Sequence, residues 1–71
     1  MNTRNKILGK NIKAERIRKD LTQAKLAEKI NISESSLSLI ERGVQSPSVF
    51  IAFDIAKVLN IDIKELFKGI K

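Results

Sequence analysis

The 71-residue sequence contains no cysteine and no histidine. Without cysteine there is no disulfide, no thiolate metal site and no cysteine nucleophile. Without histidine the commonest general base and the commonest zinc ligand are missing as well. Tyrosine is also absent and the carboxylates form no clustered pair. No nucleophile–base arrangement can be assembled from what remains, and an enzyme is the weakest functional class for this chain. No cofactor, metal or small-molecule ligand is expected. No apolar run approaches the roughly 18 residues of a membrane span, and the polar, basic start of the chain lacks a secretory apolar segment. These absences point to a cytoplasmic protein with no membrane partner. Period-two alternation is missing too, so no strand is expected and the fold class reads as all-α.

What is present is basic charge. The formal net charge is +6, which suits a polyanionic partner, with nucleic acid the default. Its distribution is uneven. Residues 1–20 carry seven Lys/Arg against Glu15 and Asp20, whereas residues 21–45 balance Lys25, Lys29 and Arg42 against Glu28, Glu34 and Glu41. Residues 46–71 add four lysines against Asp54, Asp62 and Glu65. Any single lysine is most simply a solvated surface residue; the excess at one end calls for more.

At this length the chain is one small domain, residues 1–71, burying about 60% of its unfolded surface and gaining from oligomerisation. Residues 1–5 lack periodicity and read as a flexible basic arm. A first helix is expected over about 5–19, with Leu8 and Ile12 inward and Ile7 a further candidate. Arg16 falls on the same side as Ile12 and needs a partner there. Thr22 is placed to cap a second helix over about 23–30 that buries Leu26, Ala27 and Ile30. Asn31 suits a left-handed turn and Ile32 tucks inward. Ser33 caps a third helix, about 33–42, which buries Leu37 and Ile40 and stops at Gly43. Ser46-Pro47-Ser48 announces a fourth helix, reaching about residue 59 or 60, with Pro47 suited to its first position and either serine able to cap. Val49, Ala52, Phe53, Ala56 and Leu59 share one of its faces, and Ile51, Ile55 and Val58 widen the apolar arc. Asp62 and Glu65 form an Asp-x-x-Glu capping box, and Ile61 and Leu66 a hydrophobic staple, for a short fifth helix ending near Gly69. That helix buries Leu66, with Phe67 a further candidate.

Residues 23–42 are the functional centre. Two helices joined by a tight turn form the helix-turn-helix unit, whose second helix enters a major groove about 12 Å wide. The outward residues of the third helix, Glu34, Ser35, Ser38, Leu39 and Arg42, with Ser36 near its first turn, are slim enough to do so.

The pattern LTQAKLAEKINISESSLSLIERGVQSPS, followed by IAKVLNIDIKELF, resembles the Cro/repressor-type (XRE) helix-turn-helix family over roughly residues 8–67. The most specific elements are TQ-x-x-LA, I-x-x-IERG and I-D-x-x-ELF. The resemblance implies a lambda-repressor-like domain of five helices that binds double-stranded DNA as a dimeric transcriptional regulator, most simply a repressor on a palindromic operator. It implies a bacterial or phage-encoded, nucleoid-associated protein. It pairs Arg16 with Glu41 as a structural ion pair and gives Gln23 a phosphate contact that also braces the third helix. Base readout then falls to Glu34, Ser35, Ser38 and Leu39, and backbone contact to Gln23, Ser33, Ser36, Arg42, Ser46 and Ser48. Each has a plainer reading: Glu34 as a favourable charge at a helix N-terminus, Leu39 as an ordinary exposed apolar residue, the serines as caps, Gln23 as solvated. The chain departs from the family at Asn31, where glycine is usual, in a loop 43–46 without basic residues, and at Phe50 and Ile51, where polar residues are usual. Phe50, Ile51, Val58, Ile61 and Ile63 are the expected dimer surface, with a larger monomeric core as the competing use. The rival functional class is an antitoxin-like protein-interaction module working through the surface of the last two helices.

Overall fold

The computed structural model describes residues 2–71 as α1 (Thr3–Arg18), α2 (Gln23–Lys29), α3 (Glu34–Glu41) and α4 (Val49–Leu59), followed by a 3₁₀ helix, Ile63–Phe67. No strand occurs among the described residues. None of their helices is long and apolar enough to cross a membrane.

Three joints share one three-residue grammar: a left-handed residue, an aliphatic residue, then an N-cap. They are Asp20-Leu21-Thr22, Asn31-Ile32-Ser33 and Asn60-Ile61-Asp62, with φ of 57°, 59° and 55° at the first position. Each left-handed residue donates its N–H three residues back, and each aliphatic residue donates five back: Leu21 to the Arg16 carbonyl, Ile32 to Ala27 and Ile61 to Ala56, at 3.0–3.2 Å. This is the Schellman stop, in which otherwise orphaned helix carbonyls gain partners and the next apolar residue turns inward. Leu21, Ile32 and Ile61 accordingly pack against the core. Gly43 (φ 78°) and Val44 close α3 with the same bonds. Thr22, Ser33 and Ser48 then accept from the backbone N–H three residues on, so each of α2, α3 and α4 starts with a satisfied donor.

The core is aliphatic. Leu8, Ile12, Leu26, Ala27, Ile30, Leu37, Ile40, Ile55, Ala56, Leu59 and Leu66 form one cluster to which all five elements or their ends contribute. Gly9 lets α1 and α3 touch through their backbones: a Cβ there would lie 2.5 Å from the carbonyl oxygens of both Ile40 and Glu41. Asn11 on α1 fastens the chain's end, its Nδ2 donating to the carbonyls of Leu66 and Lys68 at 2.8 Å each.

Several expectations are corrected. The fold has four α-helices rather than five, because the closing segment is a five-residue 3₁₀ helix, the form short runs adopt when few residues separate cap and stop. Its capping box does not form: Asp62 accepts from Lys64 N–H at 3.0 Å, and Glu65 pairs with Lys68 at 3.3 Å. The arm is also absent over residues 2–5, since Asn2 caps α1 by accepting from Arg4 N–H at 2.8 Å; Met1 lies outside the described residues. Ser48 alone caps α4, which leaves Pro47 just before the helix rather than at its first position. The inward face of α4 is Ala52, Ile55, Ala56 and Leu59, whereas Val49 is 67% and Phe53 54% exposed. Apolar residues cover more than half of that helix's circumference, so periodicity alone does not choose between adjacent faces. Phe67 is likewise exposed.

Candidate nucleic-acid interface

The placement of α3 is set from behind. Arg16 meets Glu41 in a two-pronged pair, Nε to Oε2 at 2.7 Å and Nη2 to Oε1 at 3.0 Å. The remaining Nη1 donates to the Leu21 carbonyl at 2.8 Å. Gln23 Nε2 adds a third bond to the carboxylate, at 3.1 Å to Oε1. The side chains of Arg16 and Glu41 are only 10% and 2% exposed, and charges so removed from water need this completeness of pairing. No buried side-chain nitrogen or oxygen among the described residues lacks a partner. One carboxylate at the end of α3 thereby ties together α1, the α1–α2 joint and the first residue of α2. A planar guanidinium is suited to this role, since its fork matches the carboxylate geometry.

On the outer side, Gln23, Glu34, Ser35, Ser38, Leu39 and Arg42 line a shallow open depression of about 340 Å³. Glu34, Ser35 and Arg42 are exposed, and Ser38 and Leu39 half-buried. The structure thus brings together all four residues assigned to base readout, with Gln23 and Arg42 at the margin. Ser33 and Ser36 do not line it. Their hydroxyls bond each other at 2.9 Å while Ser33 Oγ accepts from Ser36 N–H at 3.0 Å, so both are engaged at the α3 N-terminus. Ser46 and Ser48 are exposed in the approach to α4, where Ser48 Oγ accepts from Ile51 N–H at 3.1 Å. Lys6, Lys10 and Lys13 form an exposed row at helical spacing on α1.

A helix-turn-helix family model matches residues 12–66. The chain belongs to this family, in its Cro/repressor (XRE) type. It is 47% identical over 60 residues to the uncharacterized HTH-type transcriptional regulator YazB of Bacillus subtilis, covering 84% of this chain and 87% of that one. It is 41% identical over 59 residues to the immunity repressor protein of Bacillus phage phi105, covering 83% of this chain and 41% of the repressor. Among solved structures it resembles the master regulator for biofilm formation SinR in complex with DNA, with a TM-score of 0.77 and 35% identity over 83% of this chain and 95% of that one. In this helix-turn-helix protein α2 and α3 form the namesake unit, and α3 is its second helix.

The residues assigned to a dimer surface separate into two kinds. Phe50 is 80% exposed, whereas Ile51, Val58, Ile61 and Ile63 are half-buried and pack against the chain's own core. Sequence reasoning passed over Gly9 and Asn11. Gly9 carried a usable signal, a glycine inside an otherwise helical pattern, which marks a close approach; Asn11 looks like any polar helix residue until its two carbonyl partners are seen.

Proposed function

We propose that the protein is a sequence-specific, double-stranded-DNA-binding transcriptional regulator, a repressor that acts as a homodimer on a palindromic operator. The observation that carries this reading is the outer face of α3, where four slim or flexible side chains gather beside Gln23 over a helix braced by a buried ion pair. The two regulatory relatives and the DNA-bound structural neighbour support it.

In this reading α3 lies in the major groove. Ser35 and Ser38 pair with base edges, Glu34 accepts from a cytosine amino group, and Leu39 meets a thymine methyl. Gln23, Ser33, Ser36, Arg42, Ser46 and Ser48 hold the phosphate backbone: Ser48 donates its O–H to a phosphate while its oxygen caps α4, Ser36 donates its O–H while accepting from Ser33, and Ser33 does so once its O–H turns from Ser36. Because Gln23 Nε2 already donates one N–H to Glu41, a phosphate contact by its second N–H transmits register directly to α3. The lysine row of α1 adds salt-dependent attraction without sequence preference. Two copies related by a two-fold place their α3 helices in successive major grooves about 34 Å apart.

Selection of bound fragments from random DNA, followed by footprinting, tests this. Two protected patches one helical turn apart on a palindrome are expected; unselective binding, or protection of a single patch without symmetry, contradicts it.

A further inference from the structure

The chain's only aromatic residues are three phenylalanines, and none enters the core: Phe50 is 80%, Phe53 54% and Phe67 42% exposed. Two of them lie on one row. Phe50, Phe53, Asp54 and Lys57 follow helical i, i+3, i+4, i+7 spacing along α4, opposite the buried Ala52, Ile55, Ala56 and Leu59, and all four are exposed. Asp54 and Lys57 are three residues apart, a spacing that favours an ion pair on a helix. Among the described residues neither takes part in one, although three other pairs of that spacing do. The most solvent-facing line of the helix is therefore aromatic in one half and carries one charge of each sign in the other.

We propose that this row seats the same row of a second copy, antiparallel about a two-fold near residues 53 and 54. The inference rests on the homodimer reading above and names its surface. The row is complementary to itself. With the axis at 53–54, Phe50 of each copy lies over Lys57 of the other, which offers an aliphatic stem and an ammonium to the ring face. The two Phe53 rings meet on one side of the axis and the two Asp54 side chains on the other, where Lys57 of the other copy, one turn away, offsets their like charge. A two-fold doubles every such contact. A second copy also fits the charge. Two chains of net charge +6 repel, and a pairing surface must be locally neutral; this row is.

Area sets the strength. At roughly 200 Å² per phenylalanine, the two rings offer about 270 Å² per copy, against about 800 Å² per partner in a stable complex. The pair is therefore weak in free solution and completed on DNA. Salt separates the two steps: screening relieves repulsion between copies and strengthens pairing, while it weakens DNA binding.

Analytical ultracentrifugation across protein concentration and salt, with band shifts on a single half-site and on a full palindrome, tests the proposal. Expected are a concentration-dependent monomer–dimer equilibrium that tightens with salt, and loss of at least about tenfold in dimer affinity for Phe53→Glu. Phe53→Glu should keep wild-type affinity for the half-site, showing an intact fold, and lose cooperative binding to the palindrome. Because the chain has no cysteine, Asp54→Cys supplies a sole thiol that should cross-link to itself under mild oxidation, whereas Lys10→Cys should not. An undiminished dimer in Phe53→Glu, with no Asp54→Cys cross-link, overturns this surface and leaves the homodimer reading standing on another face. A chain that remains monomeric at every concentration, on and off DNA, overturns both and assigns the row to a different protein.

Discussion

The outer faces of α3 and α4 treat exposed residues in opposite ways. On α3 they are serines, a glutamate, an arginine and one leucine, and the helix behind them is fixed by a carboxylate that accepts three hydrogen bonds. On α4 they are Val49, Phe50, Phe53 and two charges, Asp54 and Lys57, that pair with no other described residue, and the helix behind them is held by aliphatic packing and its Ser48 cap. A surface that must present small polar groups in a fixed frame needs a directional anchor, because hydrogen bonds and a planar ion pair define orientation as packing does not. A surface that only needs to exclude water does not require one. Helices of similar amphipathic appearance thus differ in what holds each exposed face in place.

The largest effects should come from the anchor. Glu41→Ala strands Arg16 in the interior and should cost about 3–5 kcal/mol in urea unfolding, enough to leave so small a domain largely unfolded. A loss under about 1 kcal/mol would remove the distinction between the two helices. On α4 the contrast lies between neighbouring positions. Ile55→Ala should cost about 2–5 kcal/mol, while Phe53→Ala, measured at concentrations where the chain is monomeric, should change stability by less than about 0.5 kcal/mol. Comparable losses at the two sites would restore the face containing Phe53 to the core. On α3, Ser35→Ala and Ser38→Ala should leave the thermal midpoint unchanged and weaken operator binding by about 1–3 kcal/mol together. One expected effect is a gain: Asp20→Gly relieves a left-handed backbone (φ 57°) and should stabilise by about 0.5–1 kcal/mol in the same unfolding assay.

Much of this was legible in the residues themselves. Thr22, Ser33, Asn31 and Gly43 marked the α2–turn–α3 unit to within a residue or two, because caps and left-handed stops are local chemistry carried by side-chain type. The same grammar is present at Asp20-Leu21-Thr22 and Asn60-Ile61-Asp62, where Asp20 and Asn60 take the left-handed position that Asn31 takes. The four residues of the depression on α3 followed from helical spacing once Leu37 and Ile40 were recognised as inward. What spacing could not supply was the rotation of α4, where Phe53 and Ile55 are both apolar and only packing against the other helices decides which one turns in. Nor could it supply Asn11, whose carbonyl partners lie 55 and 57 residues away, or the 3₁₀ geometry of the last segment. Local signals reach as far as caps and turns; the remainder depends on contacts distant in sequence.

The central claim is that α3 selects the DNA sequence while charge elsewhere supplies attraction. It is tested most directly by measuring, at one fixed salt concentration, the affinity of the wild type and of the Ser35→Ala/Ser38→Ala double variant for the selected operator and for random DNA. The account predicts that the double variant loses about tenfold or more on the operator and nothing on random DNA. Equal losses on both, or none on either, would contradict it.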